Sequence, residues 1–264
     1  MNANLNIQRT SRCGETARAS AHSAHYDDKF YETDSDKSLG SARIYLSHLF
    51  GIFQPEAVLD VGCGRGAWLK ACHELGAKRL QGFDGEWNTQ SLMIDSAIEF
   101  QEIDLSKPFS VRQKVDLAIS VEVAEHLAPE VAPQFVQCLT ECADVLLFSG
   151  AFVNQGGTNH INEQLHSYWA QLFAAHNFHP FDLFRPIFWG NESVAYWYRQ
   201  NVFLYVRQSS PAWWLLVNQG HKKMADISFM NCIHPEGLRL GSLLAALYPS
   251  LISAMRKRSF LAKK

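Results

Sequence analysis

A chain of 264 residues with 47% hydrophobic side chains is long enough to bury a sizeable core, and we expect one globular α/β domain with additions. Its 24 basic and 26 acidic residues leave a formal charge of −2, which exerts no overall pull toward nucleic acid and sets DNA and RNA aside as main partners. Six cysteines are scattered without a Cys-x-x-Cys pair or zinc-ribbon spacing, and no secretory signal precedes them, so free thiols in a cytoplasmic protein are expected.

Residues 1–36 are polar, rich in Ser, Ala, Asn and His, and lack apolar periodicity, which predicts a disordered arm. "SLGSARIYLSHLFGIF" predicts a helix with Ile44, Leu46, Leu49 and Phe50 near one face, covering the mouth or edge of a domain over residues 37–208. From residue 57 onward short apolar runs alternate with helical patterns, the habit of a parallel sheet with crossover helices. Strands are expected at about 57–62, 79–84, 98–103, 115–121 and 144–150, then in "FDLFRPIFW" and "NVFLYVR". "GNESVAYWYRQ" leaves no room for a regular crossover between the last two, so that pair should be antiparallel.

Gly62, Gly64 and Gly66 fall where the first strand turns into the first helix, where residues without Cβ let the backbone approach a ligand. Gly62-x-Gly64-x-x-Ala67 also satisfies the dinucleotide fingerprint, with Asp84 placed to grip ribose hydroxyls of either kind of cofactor. Asp60 argues against a dinucleotide, because a carboxylate at the strand end repels a pyrophosphate and favours an amine-bearing ligand. "EIDL", Glu102 to Leu105, can hydrogen-bond an adenine amino group and pack its face, and in "SVEVAEHL" Glu122 and His126 would share one face of a short helical turn.

Asp60-x-Gly62-x-Gly64-x-Gly66, Asp84, "EIDL" and "VEVAEHL", in this order over residues 55–207, resemble the class I S-adenosylmethionine-dependent methyltransferases. "VEVAEHL" is similar to quinone-biosynthesis O-methyltransferases, and "QGGTNHINEQLHSYWAQLF" looks more like methyltransferases of bacterial glycan and natural-product pathways. The resemblance implies a Rossmann-like fold: a seven-stranded, mostly parallel sheet with the last strand antiparallel and helices on both faces. It implies S-adenosylmethionine as cofactor. Asp60, Gly62, Cys63, Gly64 and Gly66 would contact its methionine end, Asp84 and Gly85 the ribose, and Asp104 with Leu105 the adenine, with Glu122 beside the reacting end.

A methyl group on a sulfonium is already activated, so a base is needed only for a hydroxyl acceptor. His160, in "NQGGTNH", is the first candidate catalytic residue and His126 the second; for His160 the plainer reading is a loop histidine beside an Asn162 helix cap. The aromatic residues Trp68, Trp169 and 196–198 read as core, with an acceptor pocket as the alternative. The eleven histidines make no convincing ligand set, so no metal is expected, although Mg²⁺ on Glu122 and Glu125 stays open.

Residues 209–264 read as a helical extension with a basic end. Its apolar part between Arg239 and Arg256 contains Pro249 and falls short of the about 20 residues that span a bilayer. A helix folded on the domain, or a peripheral contact with an anionic membrane or a protein, both suit it. The expected function is methyl transfer to an oxygen of a small-molecule acceptor, a sugar first and a quinone or phenol second. A non-catalytic nucleotide-binding scaffold acting through the basic tail is the alternative of another class.

Overall fold

The computed structural model describes residues 28–238, with side chains from residue 37. The basic tail and most of the polar arm lie outside the described residues. Helix α1 (Asp28–Ile52) begins inside the stretch read as that arm. After it come β1 (Ala57–Val61), α2 (Ala67–Glu74), β2 (Arg79–Asp84), β3 (Ile98–Glu102), β4 (Leu117–Ser120), α3 (Ala132–Cys142), β5 (Val145–Phe148) and α4 (His166–Ala174). The chain continues through β6 (Phe178–Phe181), α5 (Arg185–Phe188), α6 (Tyr196–Asn201), β7 (Phe203–Arg207) and α7 (Pro211–Asn218).

The seven strands form one sheet in the order β3-β2-β1-β4-β5-β7-β6. Strands β1 to β5 are mutually parallel, and β7 runs antiparallel to both β5 and β6, as expected. The order reverses between β1 and β4, and a parallel sheet opens a crevice at the carboxyl ends of the strands beside such a point. Successive strand residues serve opposite layers of core. Val58, Leu117, Ile119, Leu147 and Leu204 pack on one face, while Leu59, Ala118, Leu146, Phe148 and Tyr205 pack on the other. Burial on both faces explains why these strands read as continuous apolar runs.

On the first face, α1 buries Ala42, Tyr45, Leu46, Leu49 and Phe50, a stripe at helical spacing, and lies against α2. Tyr45 stacks on Phe184 with ring centroids 4.9 Å apart, and its hydroxyl donates to Tyr198 O. Thus α1 covers a face of the sheet. On the second face, α3 and α4 pack through Phe135, Leu139, Trp169 and Phe173. Trp68, Trp169 and Tyr198 belong to the core, and Cys138 and Cys142 are buried thiols within α3.

Two local expectations are corrected. The sixth strand lies at Phe178–Phe181 and not in "FDLFRPIFW", which carries α5. Pro186 in the first turn of α5 suits a helix start, Phe184 and Phe188 pack against Tyr45, and Pro180 is tolerated in β6 because that strand is the sheet edge. Helix α4 begins at His166, well after Asn162, which is buried and donates to Ala124 O. At the far end Ser210 caps α7, its Oγ accepting from Trp213 N with Pro211 in the first turn. Among the described residues no helix is long and apolar enough to cross a membrane.

Candidate active site

The glycine loop is shaped by the strand ends around it. Gly62, Gly64 and Gly66 all have left-handed φ, at 82°, 52° and 87°. Gly62 N–H and Cys63 N–H both donate to Phe83 O, folding the loop back over β2. A Cβ on Gly62 would strike both methyls of Val123, and one on Gly66 would strike Ile98, whereas one on Gly64 would project into open space. Gly64 is thus where a ligand can come close to the backbone.

Asp84 ends β2 directly beneath this loop. Its Oδ2 accepts from Gly64 N at 2.7 Å and its Oδ1 from Gly85 N at 2.8 Å. Burial raises its pKa to about 6 against those two hydrogen bonds. Asp60 is only 2% exposed, and its Oδ2 has no hydrogen-bond partner. Burial, and then the charge of Asp84, push the Asp60 carboxyl well above its ordinary range. Asn88, which the sequence reading passed over, is fully buried and donates from Nδ2 to Gly64 O, clasping the loop from the other side.

Asp104 is exposed and accepts from the Ser106 amide and hydroxyl and from Lys107, which hold its pKa down to about 2 with the Ser106 hydroxyl as the main cause. It lines a depression of about 700 Å³ with Phe83, Phe109 and Cys138, while Leu105 packs on the second core. Ile103 N–H donates to Asp84 O, so this segment leaves the sheet beside the end of β2.

The segment after β4 departs from the expected helical turn. Glu122 has φ 57°, and only residues 124–126 form a 3₁₀ turn, so Glu122 and His126 do not share a helix face. Glu122 instead joins a polar cluster: its Oε1 accepts from Ser149 Oγ at 2.8 Å and Asn201 Nδ2 at 3.0 Å, and its Oε2 from Gln155 Nε2 at 3.0 Å. Burial raises its pKa against these bonds.

The loop after β5 is sewn onto that turn by main-chain bonds. Ile161 N–H and Asn162 N–H both donate to Glu125 O at 2.9 Å, which carries His160 over His126. The two imidazoles meet edge to face with centroids 4.9 Å apart. His160 Nδ1 lies 3.1 Å from Glu163 Oε1, and Glu163 also accepts from Asn154 N and Gly156 N, both at 2.7 Å. Burial, and then the neighbouring His160, lower the His126 pKa to about 4, so His126 is neutral near pH 7. Glu125 lies under the pair, fully buried. The structure therefore joins His126 and His160, which the sequence names separately, brings Glu125 to them in place of Glu122, and adds Glu163. No spacing rule predicts that juxtaposition, because it depends on the path of a glycine-containing loop.

Residues 58–150, which include the glycine loop, Asp84 and the Glu122–His126 segment, match the family model described as Methyltransferase domain. The match spans about a third of the chain. A putative methyltransferase in complex with the Trm112 methyltransferase activator of Haloferax volcanii is similar in structure, with a TM-score of 0.51 at 13% identity over 68% of this chain and 94% of that chain. Magnesium protoporphyrin IX methyltransferase from Synechocystis PCC 6803 with bound S-adenosylhomocysteine has a TM-score of 0.49 at 18% identity, over 66% of this chain and 84% of that one. Human N-acetylserotonin methyltransferase in complex with S-adenosylmethionine has a TM-score of 0.46 at 17% identity over 68% of this chain, and this chain spans about half of the human enzyme, 53%. At such identities the likeness is one of fold. No curated protein matches the chain.

The residues around the glycine loop suit S-adenosylmethionine. The unpartnered Asp60 oxygen is a ready acceptor for an ammonium group, and Gly64 faces open space beside Asp84, whose carboxylate has lone pairs left for hydroxyls.

Proposed function

We propose that the chain is an S-adenosylmethionine-dependent methyltransferase acting on an oxygen of a small-molecule acceptor, with a sugar hydroxyl as the preferred class. The observation that carries this reading is the abutment of two sites: Val123, in the turn that bears Glu125 and His126, packs directly on Gly62 of the cofactor loop. A ligand on the glycine loop and an acceptor at the histidine pair are thereby neighbours. The resemblance of residues 155–173 to glycan-pathway methyltransferases supports a sugar, as does the polar character of the Glu122–Gln155–Glu163 surroundings.

S-adenosylmethionine supplies an electrophilic methyl group, and the chain's own task is alignment and exclusion of water. Asp84 fixes the ribose end while holding the loop, Asp60 receives the amino group, and the His126–His160 cluster receives the acceptor hydroxyl. Calorimetric titration with S-adenosylmethionine, S-adenosylhomocysteine and NAD tests the cofactor; binding of the two sulfur nucleotides and not NAD is expected. Folded protein that bound neither sulfur nucleotide would favour a non-catalytic scaffold.

His160→Ala should lower transfer of labelled methyl to the accepted sugar by about a hundredfold or more while the S-adenosylhomocysteine Kd stays within about twofold, the pattern of a group that meets the acceptor alone. A joint fall in turnover and cofactor affinity would place His160 in the cofactor wall.

A further inference from the structure

We propose that Glu125, His126 and His160 form a site for one divalent transition-metal ion. Each offers a ligand atom, one carboxylate oxygen and two imidazole nitrogens, and the three atoms lie within 4.8 Å of one another. Ligands at about 2.1 Å from a tetrahedral ion stand ~3.4 Å apart, so seating an ion draws atoms at the 4.8 Å limit together by up to ~1.4 Å, a movement that side-chain rotation has to supply.

The second observation is independent of that proximity. The Glu125 carboxylate is fully buried, and neither oxygen has a hydrogen-bond partner; its own N–H and that of Ala151 lean toward it without normal geometry. Glu122 and Glu163 add negative charge nearby, and among the described residues no Lys or Arg pairs with Glu122 or Glu125. A carboxylate deep in protein is normally paired or bound to a metal. Here the groups aimed at it are two imidazoles, one of them already oriented. The Glu163 contact engages His160 Nδ1 and leaves Nε2 as the nitrogen a metal would take, the arrangement by which an outer carboxylate orients a metal-bound histidine.

Two imidazoles with one carboxylate suit Zn²⁺, Mn²⁺, Fe²⁺ or Co²⁺, while Mg²⁺ prefers oxygen ligands throughout. Three protein ligands leave coordination positions open to water or to an acceptor oxygen. That last use rests on the methyltransferase reading above, whereas ion binding itself does not. It gives His160 the role of a ligand in place of a direct base, and it replaces the Glu122–Glu125 pair, since Glu122 is engaged by Ser149, Gln155 and Asn201.

The test uses the untagged full chain, stripped with a chelator and titrated with Co²⁺ under visible absorption and calorimetry, then with Zn²⁺ as competitor. One Co²⁺ per chain is expected, displaced by Zn²⁺ and not by equal Mg²⁺. Glu125→Gln and His160→Ala should each weaken Co²⁺ binding at least tenfold with unchanged circular dichroism and S-adenosylhomocysteine affinity. Glu125→Gln should also abolish the rise in Tm on adding Zn²⁺. A folded chain that binds S-adenosylhomocysteine but takes up no stoichiometric Co²⁺ overturns the metal site and leaves the methyltransferase reading standing. Co²⁺ uptake that survives both substitutions overturns this choice of ligands. Metal binding in a chain that ignores the sulfur nucleotide keeps the site and sinks the methyltransferase reading.

Discussion

Asp84→Ala should weaken S-adenosylhomocysteine binding at least tenfold, a loss of about 1.4 kcal/mol or more. The argument rests on two tasks performed by one side chain. In the free protein the carboxylate holds Gly64 N–H and Gly85 N–H, one on each oxygen, so its removal releases the glycine loop from the end of β2. In the complex proposed here the same oxygens also accept ribose hydroxyls through their remaining lone pairs. Asp84→Asn should fail almost as badly, since its amide group must point NH₂ at one of the two N–H donors. Calorimetry reads both variants, and an unchanged Kd for Asp84→Ala would remove the ribose assignment.

The same residue sets a pH dependence. Its pKa of about 6 in the free protein is raised by burial, so lowering the pH through 6 protonates it and removes an acceptor. Only the carboxylate form grips the ribose, so affinity should be flat above about pH 7 and fall toward tenfold per unit well below pH 6. Asp60 is also raised by burial, so some decline remains in Asp84→Ala. The comparison of the two profiles isolates the Asp84 step, and coincident profiles would show that the dependence has another source.

Most of the sheet was legible because strands buried on both faces leave continuous apolar runs, and β1, β2, β5 and β7 sit close to where those runs fall. The glycine loop was legible for a similar reason: alternate glycines after a strand report a backbone requirement, and all three have left-handed φ. Where the reading failed, the deciding contacts were remote. "FDLFRPIFW" is apolar enough for a strand, but Phe184 and Phe188 are held by Tyr45, far away in sequence, and the chain there becomes α5. Glu122 and His126 are spaced for one helix face, yet a left-handed φ at Glu122 turns that side chain toward Ser149 and Asn201. Asn88 carries no motif of its own, and the motif that holds Glu125 does not show which histidines it meets. Both depend on burial and loop path, which are properties of the folded chain.

Gly62→Ala should be the most disruptive single change in the cofactor loop. A left-handed φ of 82° costs an alanine about 1 kcal/mol, and the new methyl would meet both Val123 methyls, adding about 1 to 3 kcal/mol of overpacking. The two costs can be separated. Val123→Ala removes the two methyls that cause the clash and leaves only Val123 Cβ, 3.1 Å from the added atom. Alone it should destabilise modestly, since Val123 is a buried member of the second core. Combined with Gly62→Ala it should give back at least about 1 kcal/mol relative to the sum of the single changes, a coupling readable from urea midpoints. Strict additivity would mean that the clash is relieved elsewhere and that φ alone makes glycine necessary. The double variant also probes the abutment on which the functional reading depends. Val123 links the loop to the turn bearing Glu125 and His126, so the Gly62→Ala single variant should lose both S-adenosylhomocysteine affinity and Co²⁺ uptake, and the double variant should recover much of each. Recovery of one ligand without the other would show that the cofactor loop and the histidine cluster are adjacent but mechanically independent.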